Sequence, residues 1–95
     1  MPISEPINYV SKIGSKVGIT EKTQRRAIDL LQEATRQKIV AGKDPMGLAA
    51  AALYIACVLE DERKTQKEIA EAAGVTEVTV RNRYKSLKES LKLNV

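Results

Sequence analysis

The stretch Asp44-Pro-Met-Gly-Leu-Ala-Ala-Ala-Ala-Leu-Tyr-Ile-Ala-Cys-Val-Leu59 holds no charged residue after its first position. A helix lying on a domain surface keeps a polar face toward water, so one that is apolar all round must be enclosed by other elements. Asp44 is a capping residue, and Pro45 suits the first helical position, where its missing N–H is not needed. The unbroken apolar run, Leu48 to Leu59, is shorter than the ~18 residues of a membrane span. Small side chains between Gly47 and Ala52 allow neighbouring helices to approach closely. The segment predicts a buried central helix with the rest of the chain packed around it.

Four further helices follow from periodicity and caps. Ile7, Val10, Ile13 and Val17 mark a first helix from about Pro6 to Val17, closed by Gly18. Thr20 is an N-cap for a long second helix that carries Ala27, Ile28, Leu31, Ala34 and Thr35 on one side and stops at Gly42. Its other side, with Lys22, Arg25, Arg26, Asp29, Gln32, Glu33 and Arg36, reads as a solvated face. Thr65-Gln-Lys-Glu68 is a capping-box pattern that opens a short fourth helix, Gln66 to Ala73, ended by Gly74. Thr76 then caps a fifth, Glu77 to about Leu91. Ninety-five residues suffice for one such core and not for two. The predicted fold is all-α, a single five-helix domain over residues 1–95.

Ile69, Ala70, Gly74, Val75 and Val80 have the spacing of a helix-turn-helix over about 65–92. Ala70 must be small where the second helix crosses, Gly74 can take the left-handed turn conformation, and the three hydrophobes bury the crossing. One usual hydrophobic position falls on Arg83, with Tyr84 beside it. At ~100° per residue, Val80, Tyr84, Leu87 and Leu91 share one stripe that must face the core. Val78, Asn82, Lys85 and Glu89 lie opposite, flanked by Arg81 on one side and Thr79 on the other. An outward Val78 suits a thymine methyl in the major groove, Arg81 a guanine edge, and Asn82 an adenine edge or a phosphate. Lys85 and Thr79 fall near the backbone, and Thr65, Gln66, Lys67 and Thr76 lie at two helix N-termini that attract phosphate. The plainer alternative is a set of solvated side chains with Val78 at a packing edge.

Composition narrows the function classes. Sixteen Lys and Arg against twelve Asp and Glu leave +4, with a pI near 9.3. Five cations (Arg81, Arg83, Lys85, Lys88, Lys92) against Glu77 and Glu89 concentrate +3 on the fifth helix. There is no histidine, and Cys57 is the only cysteine, which removes disulfides, the usual zinc sites and most nucleophile–base pairs. Cys57 reads as a core residue, and Asp61-Glu62 as a wet acidic pair. No glycine-rich phosphate loop and no metal set are found, so neither a cofactor nor an enzyme is expected. No secretory-type leader begins the chain, which makes an intracellular site the expectation.

The segments Asp44–Cys57 and Thr65-Gln-Lys-Glu-Ile-Ala-Glu-Ala-Ala-Gly-Val-Thr-Glu-Val-Thr-Val-Arg-Asn-Arg-Tyr84 resemble the second cyclin-like repeat of archaeal transcription factor B, the counterpart of eukaryotic transcription factor IIB. The resemblance covers essentially the whole chain. It implies a five-helix cyclin-like domain whose helix-turn-helix binds the B-recognition element upstream of the TATA box, in complex with TATA-binding protein. It places the base-reading residues on Val78 and Arg81. It also implies that the zinc ribbon, the linker reaching RNA polymerase and the first repeat are parts of such a protein that this chain lacks. A cytoplasmic, nucleoid-associated monomer with no membrane contact follows as the expectation. A cyclin-like protein-interaction module without base readout is the alternative, since the small-residue third helix can also support a peptide groove.

Overall fold

A computed structural model of the chain describes residues 6–38 and 44–94. It has five helices in the order α1 (Ile7–Val17), α2 (Glu21–Arg36), α3 (Pro45–Leu59), α4 (Gln66–Ala73) and α5 (Glu77–Ser90), and no strand among the described residues. Helix α3 packs against each of the other four. Gly47 to Leu53 and Ile55 to Cys57 are buried along it, which is how an uncharged helix avoids exposing its backbone and side chains to water without a polar face. The predicted centre of the fold is therefore the observed one. Its far end differs: Val58 is 44% exposed although Cys57 beside it is wholly buried, so one side of the last turn is left uncovered. Burial pushes the Cys57 thiol up to about 12, with Glu62 adding to the rise, Lys64 opposing it and Glu68 reinforcing it. The cysteine is thus a protonated core side chain.

The caps place the helix ends. Asp44 accepts from the Met46 N–H at 3.3 Å ahead of Pro45. At α4, the Thr65 hydroxyl accepts from the Glu68 N–H at 3.0 Å while the Glu68 carboxylate accepts from the Thr65 N–H at 3.2 Å, the reciprocal box that the sequence predicts. Thr76 caps α5 by accepting from the Thr79 N–H at 3.1 Å. Helix α2 is shorter than its expected extent. It ends at Arg36, and Lys38 itself takes φ 60°. The last buried residue of α2 is Ala34. Gly42, the expected stop, lies outside the described residues.

A second difference lies in the α3–α4 loop. Glu62 is not a wet carboxylate: it accepts from the Thr20 N–H at 2.9 Å, from the Thr20 hydroxyl at 2.8 Å and from the hydroxyl of buried Thr23. It thereby satisfies the N-terminus of α2 from 42 residues away and adds a negative charge at the positive end of the helix dipole. Partial burial raises its carboxyl pKa, yet the donations from Thr23 and Thr20, with Lys64 nearby, hold it below the ordinary glutamate value. Glu60 also turns toward α2, with Lys22 Nζ at 3.4 Å and Arg26 Nη1 at 3.5 Å. Most of the solvated face of α2 is exposed as expected, with Glu33 half-buried.

Candidate nucleic-acid interface

Helices α4 and α5 meet across a tight turn. Gly74 sits at φ 73°, a left-handed conformation that an L side chain strains to adopt, and the Val75 N–H reaches back to the Ala70 carbonyl at 3.0 Å. Ile69 and Val80 are wholly buried and Ala70 nearly so. These residues hold the two helices in the helix-turn-helix relation that their spacing predicts. Val80 and Leu87 are the buried members of the α5 stripe. Tyr84 and Leu91 are only half-buried, although Leu87 between them is wholly buried. The Tyr84 ring meets Tyr54 edge-on, with centroids 5.2 Å apart, and Lys88 Nζ lies 5.5 Å from its centroid. Both contacts shelter a side chain that the periodicity alone assigns to the interior.

The opposite face of α5 is open. Val78 is 53% exposed, and Arg81, Asn82 and Lys85 are exposed one turn and two turns on. Isolated exposed apolar residues are ordinary, but here the neighbours are cations without counterions. The ion pairs among the described residues are Lys22–Glu60, Arg25–Glu21, Arg26–Glu60 and Arg36–Glu33. All neutralise cations of α2. None involves Arg81 or Lys85, although Glu77 and Glu89 each lie four residues away. Arg81 and Lys85 thus stand beside Val78 with no carboxylate partner among the described residues.

The flanking residues divide. Lys67, Thr65 and Thr76 are exposed and Gln66 is half-buried. The hydroxyls of Thr65 and Thr76 are already engaged in capping, and the Glu68 carboxylate occupies part of the α4 N-terminus. Gln66 and Lys67 retain the free first-turn amides there. Thr79 is half-buried; its hydroxyl lies 2.9 Å from that of Thr76, and its methyl turns toward Gly47 of α3. Arg83, to which the sequence pattern assigns no role, packs on the same part of α3. The signal for it was the cation in a position where this motif usually has a hydrophobe.

Residues 1–90 match the family model described as the transcription factor TFIIB repeat. The chain belongs to that family. The TFIIB repeat is a cyclin-like fold, in agreement with five helices built around a central one. Similar proteins are archaeal. The transcription initiation factor IIB of Sulfurisphaera tokodaii is 57% identical over 95 residues, all of this chain and 31% of that protein. The factor of the same name from Pyrococcus furiosus is 56% identical over 91 residues, 96% of this chain and 30% of that protein. That of Saccharolobus shibatae is 52% identical over 95 residues, with 100% and 31% covered. This TFIIB repeat therefore spans about 31% of the length of the relatives it matches. The relatives bear the name of an initiation factor, which is not an enzyme. No described helix of the repeat is long and apolar enough to cross a membrane, and no group of three metal-binding side chains forms among the described residues.

Proposed function

We propose that this chain is the second cyclin-like repeat of an archaeal general transcription initiation factor, and that α5 docks in the major groove of the B-recognition element upstream of the TATA box. One observation carries the reading: the exposed Val78 is surrounded by Arg81, Asn82 and Lys85, with neither cation paired among the described residues. A solvated face does not need an exposed valine among unpaired cations, whereas a base-reading face uses the valine for a thymine methyl, Arg81 for guanine and Asn82 for adenine. Lys85, Lys67, Gln66, Thr65, Thr76 and Thr79 border this face and suit phosphate, which fixes register without reading sequence. TATA-binding protein, holding the DNA bent beside the repeat, is the partner that raises occupancy. RNA polymerase is reached only through other parts of such a factor. The repeat acts as a monomer in the cytoplasm, on the nucleoid.

The roles separate in a gel-shift series at graded salt. Arg81→Ala is expected to cost about 1–3 kcal/mol on the preferred duplex and to flatten the preference between duplexes. Lys85→Ala is expected to weaken all duplexes alike and to reduce the salt slope by about one. Equal weakening of every duplex by Arg81→Ala would refute base reading by that residue.

A further inference from the structure

The proposed docking of α5 assigns no cation to the side of the helix that carries Thr79. Arg83 lies one turn beyond Thr79, and both border Gly47: a methyl added at Gly47 would stand 3.0 Å from Thr79 Cγ2 and 3.6 Å from Arg83 Cγ. The tight approach is to Thr79; at 3.6 Å the arginine stem would be in ordinary contact with such a methyl, and it lies over Gly47 between α5 and α3. Among the described residues Arg83 forms no ion pair, and its Nε is shielded from solvent with no acceptor there. Asp44 Oδ2 is only 3.4 Å from that same Gly47 position, yet it does not pair with Arg83. Burying an unmet donor is unfavourable, and an apolar side chain of the same reach would avoid it. The two terminal amines carry four of the five guanidinium donors, and they are not enclosed in that way.

We infer that Arg83 is a phosphate clamp, gripping the DNA backbone along the α3 side of the recognition helix. The inference rests on the reading of α5 as a groove-binding helix. A helix seated in a major groove about 12 Å wide has a phosphate ridge along each side. Arg81 and Arg83 project about 160° apart around α5, at ~100° per residue, so they serve different sides. On its side, Arg83 is the one cation beside the hydroxyls of Thr79, Ser86 and Ser90. Packing of the stem on Gly47 restrains the fork before binding, which suits end-on, bidentate recognition of a phosphate.

The test is fluorescence anisotropy of the 95-residue chain on two duplexes, one with a B-recognition element and one scrambled, over about 50 to 200 mM salt. Arg83→Met keeps the stem over Gly47 and removes the fork. It is expected to lower affinity for both duplexes by the same factor, about tenfold, and to make the log–log salt slope shallower by about 0.9. Its melting temperature should match or exceed that of the unmodified chain, because the buried donor is gone. Arg83→Lys should keep the slope and recover only part of the affinity, since an ammonium cannot make the fork contact. An unchanged slope in Arg83→Met, or a loss confined to the B-recognition duplex, would overturn the clamp and leave the reading of α5 intact. No binding by the unmodified chain to either duplex, nor to one carrying a B-recognition element and a TATA box with TATA-binding protein present, would overturn both.

Discussion

Leu53→Ala should destabilise the domain by about 3 kcal/mol, within the 2–5 kcal/mol range typical of large-to-small core changes. Leu53 is fully buried at the middle of α3, the helix against which all the others pack. Truncation removes its transfer free energy and leaves a cavity that several elements would have to move together to fill. The alanines around it, Ala49 to Ala52 and Ala56, are equally buried, so no long side chain on α3 itself can swing in. Urea unfolding followed by circular dichroism measures the effect, as a lower midpoint at unchanged slope. A loss below about 1 kcal/mol would mean that the site collapses freely, and would contradict a core organised by α3.

Glu62→Gln is expected to cost about 2 kcal/mol at pH 7, because hydrogen bonds to a charged group contribute more than neutral ones. Three donors converge on this carboxylate: the Thr20 N–H, the Thr20 hydroxyl and the hydroxyl of Thr23. An amide offers one acceptor oxygen and no charge to the first turn of α2. The pH dependence follows from the lowered carboxyl pKa. A group whose pKa is lower in the folded state contributes its full stability above the unfolded value, about 4.3 for glutamate. That contribution is lost as pH falls through the folded value. The gap between wild type and Glu62→Gln should thus be constant from pH 7 down to about 5 and close below about 4. Thermal melts across that range check it, and a gap that persists unchanged to pH 3 would exclude the charge as its source.

Local pattern carried the parts of this fold that depend on neighbours in sequence. The capping box of Thr65 and Glu68, the left-handed Gly74, and the uncharged α3 each have their cause within a few residues, and each is found where its signal places it. What escaped the sequence depends on contacts between distant segments. Glu62 lies in an acidic run that looks solvated, and only the folded chain brings Thr20 and Thr23 against it. The end of α2 at Arg36 comes before Gly42, the glycine that the pattern names as its stop. Tyr84 and Leu91 obey the core period of α5 yet reach past the core, since periodicity gives direction and not depth.

The exposed face of α5 was legible for a different reason. Once Val80 and Leu87 fix which side is buried, Val78, Arg81, Asn82 and Lys85 must lie outside, and the structure puts them there. Arg83 was legible only as an exception. A cation in a hydrophobic position shows that something is unusual, and only the geometry of Gly47 and the unmet Nε gives the exception a content.

The reading of promoter DNA by α5 is tested most directly by amide shifts of the isotope-labelled chain on titration with a duplex carrying a B-recognition element and a TATA box, with and without TATA-binding protein. The largest shifts should fall on Val78, Arg81, Asn82 and Lys85, with smaller ones at Gln66 and Lys67, and should saturate at lower DNA concentration when TATA-binding protein is present. Shifts centred on the charged face of α2 or around the exposed Val58, with the α5 amides unmoved, would contradict it.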